Sequence, residues 1–151
     1  MSISDTTRSR VVDAFACGWR KPHPHAWDEL LAPDVHLEQP FLESGHGRSV
    51  WHRGVAQLLA LIPDLAGVVH GWAGDDDTLY IDVELTGTIG GRSLSVRAID
   101  RLTLDGNGLV TARRSYLNPL PLAAAIAARP TAWPRWWRSG LPPFSGRTLG
   151  R

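Results

Sequence analysis

The chain has 151 residues and a formal net charge of +1, from 16 basic and 15 acidic residues. This length predicts one domain with a core of moderate size, and the balanced charge gives no strong field for nucleic acid. Cys17 is the only cysteine, so no internal disulfide can form, which fits a reducing, cytoplasmic compartment. The N-terminus is polar and no apolar run reaches the roughly 18 residues of a membrane span, so we expect no secretory or integral membrane segment.

Helical periodicity dominates the first half of the chain. Val11, Phe15 and Trp19 recur every four residues, which predicts an amphipathic helix that ends at the proline-containing segment 21–24. Ser4 or Asp5 is a suitable N-cap for it. After this first helix, the predicted elements of this half are helices at residues 25–31 and about 48–62, with a short strand at residues 35–38 and a loop at residues 39–47.

After Leu65 the apolar period changes to two, which is typical of strands. Gly-Gly and Asp-Gly pairs separate the alternating segments, and they are strong hairpin signals because tight turns need positive φ. The predicted strands are residues 67–72, 78–89, 93–104 and 109–117, with a short helix at residues 120–128 after them. Helices followed by a strand meander predict an α+β fold, with three N-terminal helices packed on one face of a curved antiparallel sheet.

The composition changes near the end of the chain. Residues 129–151 contain five arginines, three tryptophans and no acidic residue. We therefore expect a domain over residues 1–128 and an irregular Trp/Arg/Pro-rich tail over residues 129–151. The tail could cap a pocket, cover a dimer interface or touch an anionic membrane surface. Packing on the protein is the interpretation we favour, with disorder beyond Gly140.

Asp100 stands on the apolar face of a predicted strand, whose other members are Leu94, Val96, Ala98, Leu102 and Leu104. A carboxylate there is costly unless it is paired, hydrogen-bonded or protonated. Such acids cluster at functional sites, although structural ion pairs use them as well. A hairpin centred on Gly106-Asn107 sets Asp100 opposite Arg113, and the preceding hairpin sets Glu84 opposite Arg97.

The electrostatics of Asp100 depend on where Arg113 points. If the two side chains meet, the guanidinium favours the ionised carboxylate, which could orient a water or act as a weak base. Arg113 could then stabilise an enolate or bind a carboxylate. If Arg113 points away, desolvation favours the protonated acid, which could donate a hydrogen bond. A buried pair without any chemistry is the third possibility.

A series of short motifs occurs in a familiar order between residues 11 and 128. They are Glu38-Gln39-Pro40-Phe41, Gly45-His46-Gly47-Arg48, Pro63-Asp64-Leu65, Gly87-Thr88-Ile89-Gly90, Ile99-Asp100, Asp105-Gly106-Asn107-Gly108-Leu109-Val110 and Tyr116-Leu117-Asn118-Pro119. Together they resemble the SnoaL-like polyketide cyclases of the nuclear transport factor 2-like superfold. The resemblance implies a cone-shaped α+β barrel with a deep pocket between helices and sheet.

Few catalytic residues of two related enzyme families are present at the matching positions of this sequence. The proton-shuttle aspartate and the oxyanion tyrosine of ketosteroid isomerases match Gln39 and Phe15, and their second oxyanion donor matches Asp100. One acid of limonene epoxide hydrolases matches Ser115. We therefore expect neither of these two activities.

The candidate site combines an acid–arginine pair with an apolar wall. Asp100 and Arg113 are the predicted catalytic residues, and the predicted substrate-binding residues are Phe15, Trp19, Trp27, Gln39, Phe41, Trp51, Ser115 and Leu117. The spacing of four histidines matches no common zinc motif, so no metal site is predicted; they are His23, His25, His36 and His46.

Two functions fit this site. The first is a cofactor-independent cyclase, isomerase or dehydratase that acts by acid–base catalysis on a lipophilic carbonyl compound, such as a polyketide or steroid-like ring. The alternative is a non-catalytic small-molecule-binding or dimerising module, because fold does not settle function. The expected partners are a lipophilic small molecule and a second copy of the chain, with no cofactor and no nucleic acid.

Overall fold

Six strands and four α-helices account for most of residues 3–141, the part of the chain that the computed structural model describes. In chain order they are α1 (Asp5–Arg20), β1 (Leu31–Glu38), β2 (Gly45–His46), α2 (Arg48–Leu61), β3 (Ala66–Asp75), β4 (Thr78–Ile89), β5 (Arg92–Leu104), β6 (Val110–Leu117), α3 (Leu120–Ala127) and α4 (Trp133–Ser139), with a 3-10 turn at Pro130–Ala132 before α4. The predicted α+β class is confirmed, and the strands after Leu65 lie within a few residues of their predicted positions.

The sheet is mixed, so the prediction of a fully antiparallel sheet is wrong. Its strand order is β2-β1-β6-β5-β4-β3, with an antiparallel meander from β3 to β6 and a short antiparallel pairing of β2 with β1. The β1 strand runs parallel to β6, beside which it lies. Hairpin signals in a sequence report only antiparallel neighbours joined by a short turn, and a parallel pair needs a long connection.

The predicted helix at residues 25–31 is wrong. Residues 24–30 form successive turns, each closed by a bond from a backbone N–H to the carbonyl three residues earlier; the pairs are His23–Ala26, His25–Asp28 and Trp27–Leu30. Leu31 already belongs to β1, opposite Val110 of β6. Sheet pairing therefore imposes an extended backbone where the predicted helix would end. Within the described residues, only α1 and α2 precede the meander.

The segment after α3 is more ordered than predicted. Pro130–Ser139 form the 3-10 turn and α4, where an irregular tail was expected, and α4 packs against α2. Two side-chain hydrogen bonds attach this segment to the rest of the protein: Trp133 Nε1 donates to the Ile126 carbonyl at 2.8 Å, and Arg129 Nη1 donates to the Ile89 carbonyl at 3.1 Å. The predicted disorder beyond Gly140 falls, from residue 142 onward, outside the described residues.

Four aromatic side chains pack together between the helices and the sheet. Trp19 of α1 lies edge-on to Phe15, Trp27 and Trp51, with ring centroids 6.3, 4.9 and 6.3 Å apart, and Trp27 and Trp51 are separated by 5.2 Å. Trp27 Nε1 donates to the Phe15 carbonyl at 3.3 Å, which satisfies a buried donor. This cluster joins α1, the turn segment 24–30 and α2 into one core.

Gly18 permits the close approach of α1 to Trp27. A Cβ atom added at Gly18 would lie 2.3 Å from Trp27 Nε1, which is far inside van der Waals contact. The indole is buried and held on both sides by other aromatic rings, so it has little room to move. A glycine inside α1 is therefore explained by packing.

We predict that Gly18→Ala destabilises the protein, although the same change at an unobstructed helix position stabilises it by about 0.5–1 kcal/mol. The added methyl group collides with Trp27, and overpacking of this kind costs about 1–3 kcal/mol. Gly71→Ala is the control, because nothing lies within 4 Å of a Cβ atom added there. Urea denaturation measures both free energies of unfolding. Equal stabilities for the two variants would contradict the close approach.

Candidate active site

Asp100 is fully buried on the inner face of β5, with 0% of its surface exposed. Its cross-strand neighbour on β6 is Ser115, while Arg113 lies opposite Leu102. The predicted pairing of Asp100 with Arg113 is therefore wrong by two residues. Because strand residues alternate between faces, a shift of two leaves Arg113 on the face of Asp100. The pairing of Glu84 with Arg97 in the preceding hairpin is confirmed.

The shift in register has two local causes. The hairpin is closed by Asp105 and Leu109, with the Asp105 N–H donating to the Leu109 carbonyl at 2.9 Å, so the loop is longer than a two-residue turn. A register irregularity between Thr103 and Leu104 then displaces the two strands further. The Asp105 carboxylate accepts from two backbone N–H groups inside the loop, which stabilises this wider turn.

Arg113 and Asp100 form a buried ion pair. Nε and Nη2 of Arg113 donate to the same carboxylate oxygen, Oδ2 of Asp100, at 3.0 and 2.8 Å. Nη1 of Arg113 donates to Oε1 of Gln39 at 2.6 Å. The guanidinium carbon lies 4.6 Å from the ring centroid of Trp51, in cation–π contact. The arginine is thus held by a charge, an amide and an aromatic face.

Gln39 is oriented by its own loop. Its amide Nε2 donates to the Glu43 carbonyl at 3.1 Å, and its backbone N–H donates to Oγ of Ser44 at 3.2 Å. With the amide nitrogen engaged, the amide oxygen points to Arg113. Gln39 directly follows β1, so the parallel pairing of β1 with β6 brings this side chain to Arg113 across 74 positions of sequence.

Three buried polar atoms around this pair have no hydrogen-bond partner among residues 3–141. They are Oδ1 of Asp100 and the indole Nε1 atoms of Trp19 and Trp51. A buried polar atom left without a partner costs about 1–3 kcal/mol. All three residues line one cavity. Residues of the cavity wall thus carry three polar atoms without a partner among the described residues, one acceptor and two donors.

The cavity lies between the helices and the inner face of the sheet. Its volume is about 70 Å³. Since one water needs roughly 10–15 Å³, the cavity accommodates a few waters. Apolar side chains form most of the wall, including Leu42, Leu58, Ile62, Val83, Leu94 and Val96.

Most of the predicted site residues meet at this cavity. Asp100 and Arg113 line it together with Trp19, Gln39, Phe41, Trp51, Ser115 and Leu117. Phe15 and Trp27 do not line it, because both are buried in the aromatic cluster behind Trp19 and Trp51. Sequence reasoning missed Leu42, Leu58 and Ile62. The helical spacing of the last two was a signal for burial, but nothing in the sequence distinguished cavity wall from core.

The chain belongs to the SnoaL-like family, because the sequence profile of the SnoaL-like domain matches residues 11–113. No curated protein matches the chain by sequence. Among residues 3–141, no helix combines the length and apolar character needed to cross a membrane.

Several solved structures share the fold. A candidate SnoaL-like polyketide cyclase from Jannaschia sp. CCS1 has 21% identity and a TM-score of 0.72, over 85% of this chain and 98% of that one. A candidate polyketide cyclase from Acidithiobacillus ferrooxidans has 20% identity and a TM-score of 0.70, over 85% and 99%. A protein of ketosteroid isomerase-like fold from Catenulispora acidiphila, solved with trimethylamine, has 21% identity and a TM-score of 0.67, over 80% and 92%. At these identities the likeness establishes the fold.

We predict that Gln39→Leu destabilises the protein by about 1–3 kcal/mol, because it leaves Nη1 of Arg113 buried without its acceptor. In an Arg113→Met background the same change costs less, since no buried donor remains to be satisfied. The difference between the two costs, about 0.5–3 kcal/mol, is measured by urea denaturation of the four proteins in a double-mutant cycle. Additive effects would show that the contact contributes nothing.

Proposed function

We propose that the protein is a cofactor-independent acid–base enzyme that acts on a lipophilic carbonyl compound by cyclisation, isomerisation or dehydration. One observation carries the proposal. Asp100 is a fully buried carboxylate on an apolar cavity wall, with Oδ2 held by Arg113 and Oδ1 unpartnered within residues 3–141. Membership of the SnoaL-like family supports it, as do structural neighbours that are candidate polyketide cyclases.

In the proposed mechanism, Asp100 moves a proton. Nε and Nη2 of Arg113 both donate to Oδ2 and hold the carboxylate in place. Oδ1 then accepts a proton from the carbon next to the substrate carbonyl, which leaves an enolate, and returns it to the product. This transfer needs only the carboxylate, so it requires no cofactor.

The proposed oxyanion donors are the indole N–H groups of Trp19 and Trp51. Arg113 has three of its N–H groups committed to Asp100 and Gln39, so it acts chiefly as the partner of the carboxylate. The two indole N–H groups lack partners within the described residues and belong to cavity-lining side chains. Donors that are already oriented stabilise developing negative charge without reorganisation. They would replace the donor that Phe15 cannot supply.

A substrate larger than the cavity must displace part of the cavity wall. Drug-sized ligands occupy about 300–1,000 Å³, so a ring system needs more room than this cavity provides. Phe41 and Leu42 belong to the part of the wall that lies on the loop after β1, and Phe41 takes a left-handed φ of 67°. Such a conformation costs on the order of 1–3 kcal/mol in a bulky residue. We propose that a ring-sized substrate enters by displacing these two side chains.

A non-catalytic ligand-binding module is the alternative. Gln39 supports it, because an amide committed to Arg113 and to the Glu43 carbonyl cannot replace the proton-shuttle aspartate that ketosteroid isomerases place in the matching segment. This module would bind the same lipophilic compounds in the same cavity without moving a proton. The two functions therefore differ in proton exchange and not in binding.

We predict that the protein accelerates exchange of the protons next to the carbonyl group in lipophilic ketones and β-dicarbonyl compounds. In D₂O this exchange is followed by NMR, and it reports proton abstraction even when the final product is unknown. Asp100→Asn should lower the catalysed rate by about 10²-fold or more, the usual effect of losing one acid–base group. The control is Asp13→Asn, because Asp13 is exposed on α1 and does not line the cavity.

Folding must be checked in the same experiment, because Asp100→Asn leaves Arg113 without its counter-charge, a change that costs about 3–5 kcal/mol when a buried pair is broken. The comparison is therefore made at a temperature where both variants remain folded by near-UV circular dichroism. A folded Asp100→Asn that exchanges as fast as the wild-type protein would remove Asp100 from the mechanism. A wild-type protein that binds the compounds without exchange would favour the binding module.

We also propose a homodimer formed through the outer face of the sheet. Asp82, Ile99 and Tyr116 are cross-strand neighbours on β4, β5 and β6, so they form one row on that face. Tyr80, Ile99 and Tyr116 are between 40% and 47% exposed, which is a substantial apolar area beside the Asp82–Arg97 ion pair. Aromatic residues and arginine at the centre of a polar surface are typical of protein interfaces.

We predict that the wild-type protein sediments as a dimer and that Ile99→Lys converts it to a monomer, because a charge at the centre of the face would be buried without a partner. Leu120→Lys is the matched control: Leu120 is another exposed apolar residue, but it belongs to α3 and not to a strand. Sedimentation velocity distinguishes the two species. A monomeric wild-type protein, or dissociation by Leu120→Lys alone, would place the contact elsewhere.

A further inference from the structure

Three potential metal ligands from two separate parts of the chain meet at the surface. His25 and Asp28 come from the turn segment 24–30, and His52 comes from α2. Nδ1 of His25 lies 2.8 Å from Oδ2 of Asp28, and Nε2 of His52 lies 2.6 Å from Oδ1. One ligand atom from each residue lies within 4.8 Å of the other two. None of the three lines the cavity that holds Asp100.

Buried tryptophans fix the backbone on both sides of this cluster. Trp27 lies between His25 and Asp28 in the turn segment, and Trp51 directly precedes His52 on α2. Both indoles are buried, and their rings pack 5.2 Å apart. The two backbone segments that carry the ligands are therefore held together by the core beneath them. A site whose supporting residues are already locked binds with little reorganisation.

The cluster is partly open to solvent. The Asp28 side chain is 33% exposed and the His52 side chain is 25% exposed. The His25 side chain is 66% exposed, so water can reach the remaining coordination positions.

We propose that His25, Asp28 and His52 bind a divalent transition-metal ion of the zinc class, with water in the open coordination position. Two imidazole nitrogens and one carboxylate oxygen are ligands that Zn²⁺ accepts, whereas Ca²⁺ and Mg²⁺ prefer oxygen alone. A tetrahedral ion with bonds of about 2.0–2.1 Å holds its ligand atoms about 3.3 Å apart. Small side-chain rotations bring atoms already within 4.8 Å to that spacing.

Such an ion would connect the turn segment to α2. It would hold Trp27 against Trp51, and the Trp51 ring in turn lies against the guanidinium of Arg113 at 4.6 Å. The metal would thus have a structural role at the outer side of the cavity wall. This proposal does not depend on the proposed enzyme activity. The competing interpretation is a His–Asp–His hydrogen-bonded network that binds no ion.

The test is isothermal titration calorimetry of the full-length, tag-free protein with ZnCl₂. The wild-type protein should bind one ion, and His25→Gln, Asp28→Asn and His52→Gln should each weaken binding by at least about tenfold, since even residues behind the ligands contribute that much in known sites. His25 is the most exposed of the three, so its variant keeps the test valid if His52→Gln does not fold. Near-UV circular dichroism of the tryptophans checks each variant.

The matched control is His36→Gln. His36 and His46 form another histidine pair on β1 and β2, stacked with centroids 4.5 Å apart, and the only three-ligand group found within residues 3–141 is the one proposed. Zinc should also raise the melting temperature of the wild-type protein and of His36→Gln, and EDTA should reverse the rise. No heat of binding at millimolar ZnCl₂ would overturn the proposal, as would binding that His36→Gln abolishes and His25→Gln preserves.

Discussion

The buried pair of Asp100 and Arg113 is the interaction on which the site depends. Removing two charges from water is costly, and their attraction offsets that cost only when the remaining donors and acceptors are also satisfied. Four elements contribute to the pair and its surroundings, because β5 supplies the acid, β6 the arginine, the residue after β1 an amide oxygen, and α2 the face of Trp51. The position of each element is thereby constrained by one guanidinium group.

Parallel pairing of β1 with β6 is the topological feature that makes this arrangement possible. In that register Leu37 lies opposite Arg113, so Gln39 emerges just beyond it and reaches Nη1. An antiparallel β1 would carry Gln39 to the other end of β6, and the arginine would lose a neutral partner. The bond from the Gln39 amide nitrogen to the Glu43 carbonyl serves the same purpose, because it directs the NH₂ group away from Arg113 and leaves the amide oxygen as the acceptor.

Local sequence patterns predicted the elements that depend on interactions between residues close in sequence. The strand predicted at residues 78–89 has the same bounds in the structure, because period-two alternation between turn signals is a strong local cue. The predicted helix at residues 25–31 was wrong because the pairing of Leu31 with Val110 is long-range, and the sequence near Leu31 carries no signal of it.

For the site, Asp100 and Arg113 were correctly predicted to lie on the same face despite a register error of two residues, since an even shift keeps a residue on its face. The cluster of His25, Asp28 and His52 was missed, because it joins a turn segment to a helix and has no common zinc spacing.

Stability alone does not explain the polar content of the cavity. Apolar residues of similar volume often replace a buried ion pair without loss of stability, so a purely structural role leaves the choice of Asp100 and Arg113 unaccounted for. The geometry of the pair adds to this argument. Arg113 places two donors on Oδ2 and none on Oδ1, although a bidentate contact with both oxygens is the stronger arrangement. The second carboxylate oxygen and the two indole N–H groups of Trp19 and Trp51 therefore stay without partners among residues 3–141, on residues that line the cavity.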